Sequence, residues 1–265
     1  MYQTEALIGK NRLMTKYHDL FGLNLQLRLL VENKWKDLEK HHTIDKRFPE
    51  QGVTTFLLGK AYKTHGTVLN LCMDGYGEDA GVLARTLFEL AVNLLYLNKE
   101  DSTNRATMFG EHEWVLRLKL LDSNLELIKS SGKMKEERID EIRNKVDELI
   151  TKYGKKFKRS WSLLETKEMA KEVGLEGAYN SVYTQFTDIA HSRISSASEY
   201  VREDSAGLVI DIGPGENLVP TVLVSAFHHF LLIVDSWDIR FSLGLDNNLS
   251  DLSKRFDEVV SKLSE

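Results

Sequence analysis

Arg85, Glu89, Tyr183 and His191 are the side chains whose types and spacing could carry chemistry. Arg85, Glu89 and Asn93 stand four residues apart, so on a helix they stack as one polar stripe. Around them Val82, Leu83, Ala84, Leu87, Phe88, Leu90, Ala91, Val92, Leu94, Leu95, Tyr96 and Leu97 are apolar. A helix apolar all round is a buried one, which makes 79–98 the central helix of the chain. A charged stripe inside it must be paired or put to use. Tyr183, Thr187 and His191 repeat the same spacing in a second segment, 177–201, beside an apolar face of Tyr179, Val182, Phe186, Ile189 and Ala190. Histidine changes protonation near neutrality, so His191 could serve as a general acid or base. Arginine could steady charge developing on a phosphoryl group. Each also has a structural reading: Arg85–Glu89 as an ion pair setting a packing register, and His191 as a helix residue satisfied by a neighbour.

Two polar ridges on largely buried helices satisfy each other at least cost, so Arg85, Glu89, Tyr183 and His191 are expected to cluster, although 106 positions separate the first from the last. Asn93, Thr187 and Ser192 would line the same place. A second constellation is the basic connector 152–159, where Lys152, Lys155, Lys156, Lys158 and Arg159 are interleaved with Tyr153, Phe157 and the following Trp161. Cations beside aromatic rings suit a nucleic-acid strand, and they equally suit a solvated helix end. A third reading is a di-metal helical bundle, because Glu39-x-x-His42 and Asp188-x-x-His191 have acid-x-x-His spacing and Glu78 and Glu89 could add ligands. The doublets His41-His42 and His228-His229 diverge on a helix and cannot chelate together. There is no phosphate loop, no dinucleotide fingerprint and no serine elbow, so no cofactor is expected and no metal is assigned.

The elements that must position these residues are helices. Only three prolines occur in 265 residues, and long stretches have none. The pattern predicts one or two helices over 1–42, a loop at 43–51 and a helix over 53–74 closed by Gly75 and Gly77. The central helix follows. Trp114, Leu118, Leu121, Leu125 and Ile128 then form one narrow seam, and Ile139, Ile142, Val146, Leu149 and Tyr153 a second. Together they predict an antiparallel helical hairpin over 111–153 that projects as an arm and could hold a partner protein or a second copy. A short helix at 161–174, the helix 177–201, a small β-like loop at GLVIDIGPGENLVP, a helix opened by Pro220 and a last amphipathic helix at 249–263 complete the chain. The expectation is an all-α fold: a single multi-helix bundle, one domain over 1–265. A net charge of −5 gives no global field for nucleic acid, so any such binding needs a local patch. The single Cys72 excludes a disulfide framework and fits a cytoplasmic setting. The N-terminus lacks the layout of a signal peptide. The apolar run 82–97, interrupted by Arg85 and Glu89, is expected to fall short of a membrane span.

At ARTLFELAVNLLYL and at WSLLETKEMAKEVGLEGAYNSVYTQFTDIAHS the chain resembles the bacterial family of unknown function numbered fifty-six seventy-seven. The matching positions are Arg85, Leu87 and Glu89; Trp161 and Ser162; and Tyr183, Thr187 and His191. Thr187 stands where serine is usual, and Ser192-Arg193 replaces proline-serine. The match spans roughly 55–200. A more distant resemblance is to HEPN domains, helical bundles that are often dimers in defence and toxin systems and often metal-independent ribonucleases with an arginine–histidine motif. Arg12 to His18 and Arg105 to His112 have that spacing, without the polar residue that usually follows the arginine. The resemblance implies a bacterial or phage-defence protein, with RNA as substrate and a homodimer as assembly. It sets a ribonuclease built on Arg85, Glu89, Tyr183 and His191 against a non-catalytic interaction or sensor module.

Overall fold

The computed structural model describes residues 2–41, 47–132, 134–205, 207–210 and 212–263. Within them the fold is all-α, with one two-stranded antiparallel hairpin. The helices are α1 (Tyr2–Lys16), α2 (His18–His41), α3 (Pro49–Met73), α4 (Gly77–Leu97), α5 (Ser102–Ser123), α6 (Leu125–Ser131), α7 (Glu136–Tyr153), α8 (Thr166–Glu172), α9 (Glu176–Ala178), α10 (Thr184–Ala190), α11 (Val219–Phe241) and α12 (Asp246–Leu263). A π-helical turn, Tyr179–Tyr183, joins α9 to α10, and the strands β1 (Val201–Asp204) and β2 (Gly207–Ile210) pair Val201 with Ile210 and Asp204 with Gly207.

Helix α4 is the centre of the molecule. It packs between α3 and α11, with α10 and α8 laid against it. Its apolar residues serve two cores. Ala84, Leu87, Leu90, Ala91 and Leu94 belong to the larger one, shared with α1–α3, α11 and α12. Phe88, Val92 and Leu97 face the second, built with Val115, Val146, Leu149, Phe157, Met169 and Tyr183. A helix divided between two cores must be apolar nearly all round, which is why its sequence looks as it does. Glycine permits two of its close approaches. A Cβ on Gly77 would collide with the Asn217 carbonyl, and one on Gly81 would lie 2.8 Å from the Phe186 ring. By length and composition alone, α4 and α11 are each apolar enough to cross a membrane, contrary to the expectation for α4, and more than half of each window is buried in the bundle.

Several boundaries differ from the sequence pattern. Pro49 opens α3 rather than lying in a loop, because its missing N–H costs nothing at a first helical position. The arm forms as an antiparallel pair, with Ile139, Ile142, Val146 and Leu149 buried, but α5 starts at Ser102 and breaks at Asn124 into α6. Its tip has a small core of its own, of Leu121, Ile139 and Ile142 backed by Trp114, Leu118, Leu125, Ile128 and Met134. The segment 161–174 is helical only over α8. The expected helix 177–201 stops at Ala190, because Ser192 takes a left-handed conformation (φ 50°) and the chain turns back on Asp188.

Candidate functional site

Two close approaches orient the site. Gly81 touches Phe186, and four residues on Arg85 reaches Tyr183, so α10 runs antiparallel to α4. Tyr183 ends the π-helical turn, a wide turn that recurs at functional sites. Its hydroxyl donates to Glu89 Oε1 at 2.9 Å and accepts from Arg85 Nη2 at 3.3 Å. Arg85 Nη2 also lies 3.0 Å from Glu89 Oε1, and the guanidinium stands 5.1 Å from the Tyr183 ring centre. Tyr179 stacks on Tyr183 at 4.9 Å and Phe88 closes the back at 4.8 Å.

The cluster is half-buried. The Arg85 and Glu89 side chains keep 26% and 37% of their exposure, so water reaches the pair. Burial disfavours the Arg85 charge, yet the bond to Tyr183 and the Glu89 carboxylate outweigh it and hold the guanidinium pKa above its ordinary value. Burial raises the Tyr183 phenol; Arg85 opposes the shift and Glu89 adds to it. Arg85 is therefore fixed as a cation, with its Nε buried and without a partner among the described residues.

The polar stripe continues. Asn93 Nδ2 donates to the Glu89 carbonyl at 2.7 Å, and its Oδ1 accepts from Trp161 Nε1 at 2.8 Å. Trp161 meets Tyr96 and Phe109 edge-on, and the Arg105 guanidinium lies 4.2 Å over Tyr96. Asn93 thus ties α4 to the basic connector. There Phe157 is buried as an anchor and Lys152 pairs with Glu111 at 3.2 Å, while Lys155, Lys156, Lys158 and Arg159 are exposed and have no acidic partner among the described residues.

His191 does not join this cluster. It caps α10, its amide bonded to the Thr187 carbonyl, and its side chain is exposed. Among the described residues no hydrogen bond, ion pair or ring contact links it to Arg85, Glu89 or Tyr183. Eight residues of helix put it roughly 12 Å from Tyr183 along the axis. Thr187 turns its hydroxyl back to the Tyr183 carbonyl at 2.7 Å, so the expected ridge is occupied by a helix-internal bond. Ser192 is exposed. The expected four-residue cluster is therefore a three-residue cluster, because the helix carrying Tyr183 runs away from Arg85 before it reaches His191.

Of the other spacings, Arg12 faces Glu216 at 3.9 Å while His18 pairs with Asp19. Arg105 holds the Tyr96 carbonyl, and His112 is buried against Phe157. Asp188, half of one acid-x-x-His pair, accepts from Arg193 at 2.7 Å and Ser195 at 2.6 Å; the Ser195 bond and then the Arg193 contact hold its carboxyl below the usual range. The other pair, Glu39-x-x-His42, and the His41–His42 doublet both depend on His42, which lies outside the described residues. Among the described residues no three His, Cys, Asp or Glu side chains come together as a metal site.

One polar cluster escaped the sequence reading: His65 Nε2 and Asn24 Oδ1 lie 2.9 Å apart in the core. Its only signal was His65 standing in register with buried Ala61, Leu69 and Cys72 on α3.

No curated protein and no solved structure matches the chain. A family model, described as a family of unknown function (DUF5677), matches residues 51–208. That span is more than half of the chain and holds α4, the arm, the connector and α10. The chain therefore belongs to DUF5677, a family of unknown function.

Proposed function

We propose that this chain is a HEPN-like helical protein of bacterial or phage-defence type that binds RNA along the edge running from Arg85 to the 152–159 connector, in the cytoplasm. The observation that carries the reading is the unpartnered basic turn. Four cations, Lys155, Lys156, Lys158 and Arg159, stand in solvent beside Trp161. Trp161 is bonded to the stripe that leads to Arg85. Phosphates would lie on the cations, while the buried Phe157 and Trp161 hold the turn in place beneath them. The chain's net charge of −5 confines the attraction to this strip.

Fluorescence anisotropy with labelled single-stranded RNA tests it. The double substitution Lys155→Glu, Lys158→Glu should weaken binding at least about tenfold and flatten its dependence on salt, since each lost phosphate contact removes about 0.7 from the logarithmic slope. Unchanged binding in the double variant, or none in the wild type, overturns the reading.

A ribonuclease is the second reading, favoured by His191 standing exposed beside the Asp188 carboxylate with no side-chain hydrogen bond among the described residues. In that reaction His191 takes the proton from the 2′-hydroxyl as its oxygen attacks the adjacent phosphorus, the P–O5′ bond breaks to leave a 2′,3′-cyclic phosphate, the departing 5′-oxygen takes a proton from solvent, and Arg85 steadies the extra phosphoryl charge. Both must meet one phosphate, so His191 has to come from a second copy or from a rearranged α10. Cleavage of RNA, but not of its 2′-deoxy analogue, that is lost in folded His191→Ala and Arg85→Lys proteins is the expected result. Full activity in His191→Ala overturns it.

A further inference from the structure

The arm is apolar on two opposite sides. Trp114, Leu118, Leu121, Leu125 and Ile128 face α7 and fill the tip core. At 100° per residue, Leu116, Leu120 and Leu127 fall on the reverse side of the same rod. They are 54%, 67% and 68% exposed. The break at Asn124 does not separate them, because Leu125 and Ile128 continue the inner seam beyond it and so leave Leu127 on the outside. A hairpin needs only the inner seam to fold, so the outer leucines are surplus to the arm's own stability.

We infer that Leu116, Leu120 and Leu127 are the seam of an antiparallel contact between two copies of this chain, with the arms crossing near Ser123. The flanking charges select this occupant and this direction. Lys119 and Glu126 lie on one flank of the stripe and Arg117 on the other. All three are exposed; Arg117 bonds Glu113 of its own helix, while Lys119 and Glu126 have no ion pair among the described residues. In an antiparallel two-fold pair, like flanks meet. Leu116 then lies opposite Leu127 of the second copy, and Lys119 beside Glu126 of the second copy, twice over. A parallel pair brings unlike flanks together, sets Lys119 against the already neutralised Arg117–Glu113 pair and forfeits the Lys119–Glu126 attraction. The pattern has opposite charges placed almost symmetrically about the middle of the stripe, as self-recognition across a two-fold axis requires. Three leucines a side make a small seam, and the dimer should dissociate on dilution.

Sedimentation of the full chain over a concentration series tests this. The wild type should pass from dimer to monomer on dilution. Leu120→Asp should be monomeric throughout with unchanged helicity, since its side chain is already in solvent. Lys119→Glu should weaken the dimer about tenfold, and adding Glu126→Lys should restore it. On mild oxidation Ser123→Cys should form a covalent dimer and Leu116→Cys should not, because antiparallel arms place the two Leu116 positions far apart. Cys72 is fully buried and does not compete. A wild type that is monomeric at every concentration, a dimer that survives Leu120→Asp, or cross-linking through Leu116→Cys each overturns the proposal. So does a monomer that sediments with phospholipid vesicles through the same leucines.

Discussion

Two polar clusters lie on neighbouring helices and have opposite fates. On α3, His65 bonds Asn24, whose Nδ2 donates to the carbonyls of Leu20 at 2.8 Å and Leu223 at 3.3 Å, and Phe230 stacks on the imidazole at 4.3 Å. Both side chains are 0% exposed. On α4, Arg85, Glu89 and Tyr183 make a similar number of bonds but keep an edge in water. Bond counts therefore do not separate a structural network from an available one; solvent does. Burial drives the His65 pKa down to about 3, so that ring stays neutral at any ordinary pH and can neither bind an anion nor move a proton. His229, buried beside Phe88, is pushed by burial to about 3 as well. The Arg85 charge, by contrast, is secured and accessible.

Acid should break the sealed side first and hardest. Above the unfolded histidine value of 6.5 both rings are neutral in either state. Below it the unfolded chain takes up protons at His65 and His229 that the folded protein refuses until about pH 3. Stability should accordingly fall by roughly 4 kcal/mol between pH 7 and pH 5. Urea midpoints measured across that range check it, and His229→Gln should halve the slope. Next in size, Asn24→Leu should cost about 1–3 kcal/mol, because it orphans His65 Nε2 in a dry site. Tyr183→Phe removes the phenol between Arg85 and Glu89; water can replace it, so thermal unfolding should show a loss of about 1 kcal/mol or less. Smallest of all, His191→Ala should change stability by under about 0.5 kcal/mol, as expected of an exposed helix cap. A large loss there, or a small one at Asn24, would erase the distinction between the two clusters.

Much of this was legible in the residues. Twelve apolar positions between 82 and 97 gave away the central helix, and the paired seams gave away the arm. Arg85, Glu89 and Tyr183 were found because four-residue spacing is a local rule. His191 was put with them by the same rule, and there it failed. A rule about neighbours along one helix says nothing about how far a second helix slides past the first. The sealed pair was missed for the opposite reason: Asn24 and His65 are 41 positions apart, and nothing local marks an asparagine that will be buried. Pro49 reads as a loop residue because proline both breaks helices and opens them, and only the chain before it decides which.

The position of α11 bears on how the protein can be made. Val222, Leu223, Ala226, Phe227, Phe230 and Ile233 are fully buried, and α11 closes one side of the central helix. The glycine turn at Gly75, which opens that helix, is tied by its carbonyl to the amide of Gly215 at 2.8 Å. A ribosome delivers α4 long before it delivers either partner. From the end of α4 at Leu97 until α11 begins at Val219, the face of α4 that α11 covers lacks that cover. Nascent chains stopped short of Phe241 should remain open, bind chaperones and aggregate, and the bundle should lock only when α11 emerges.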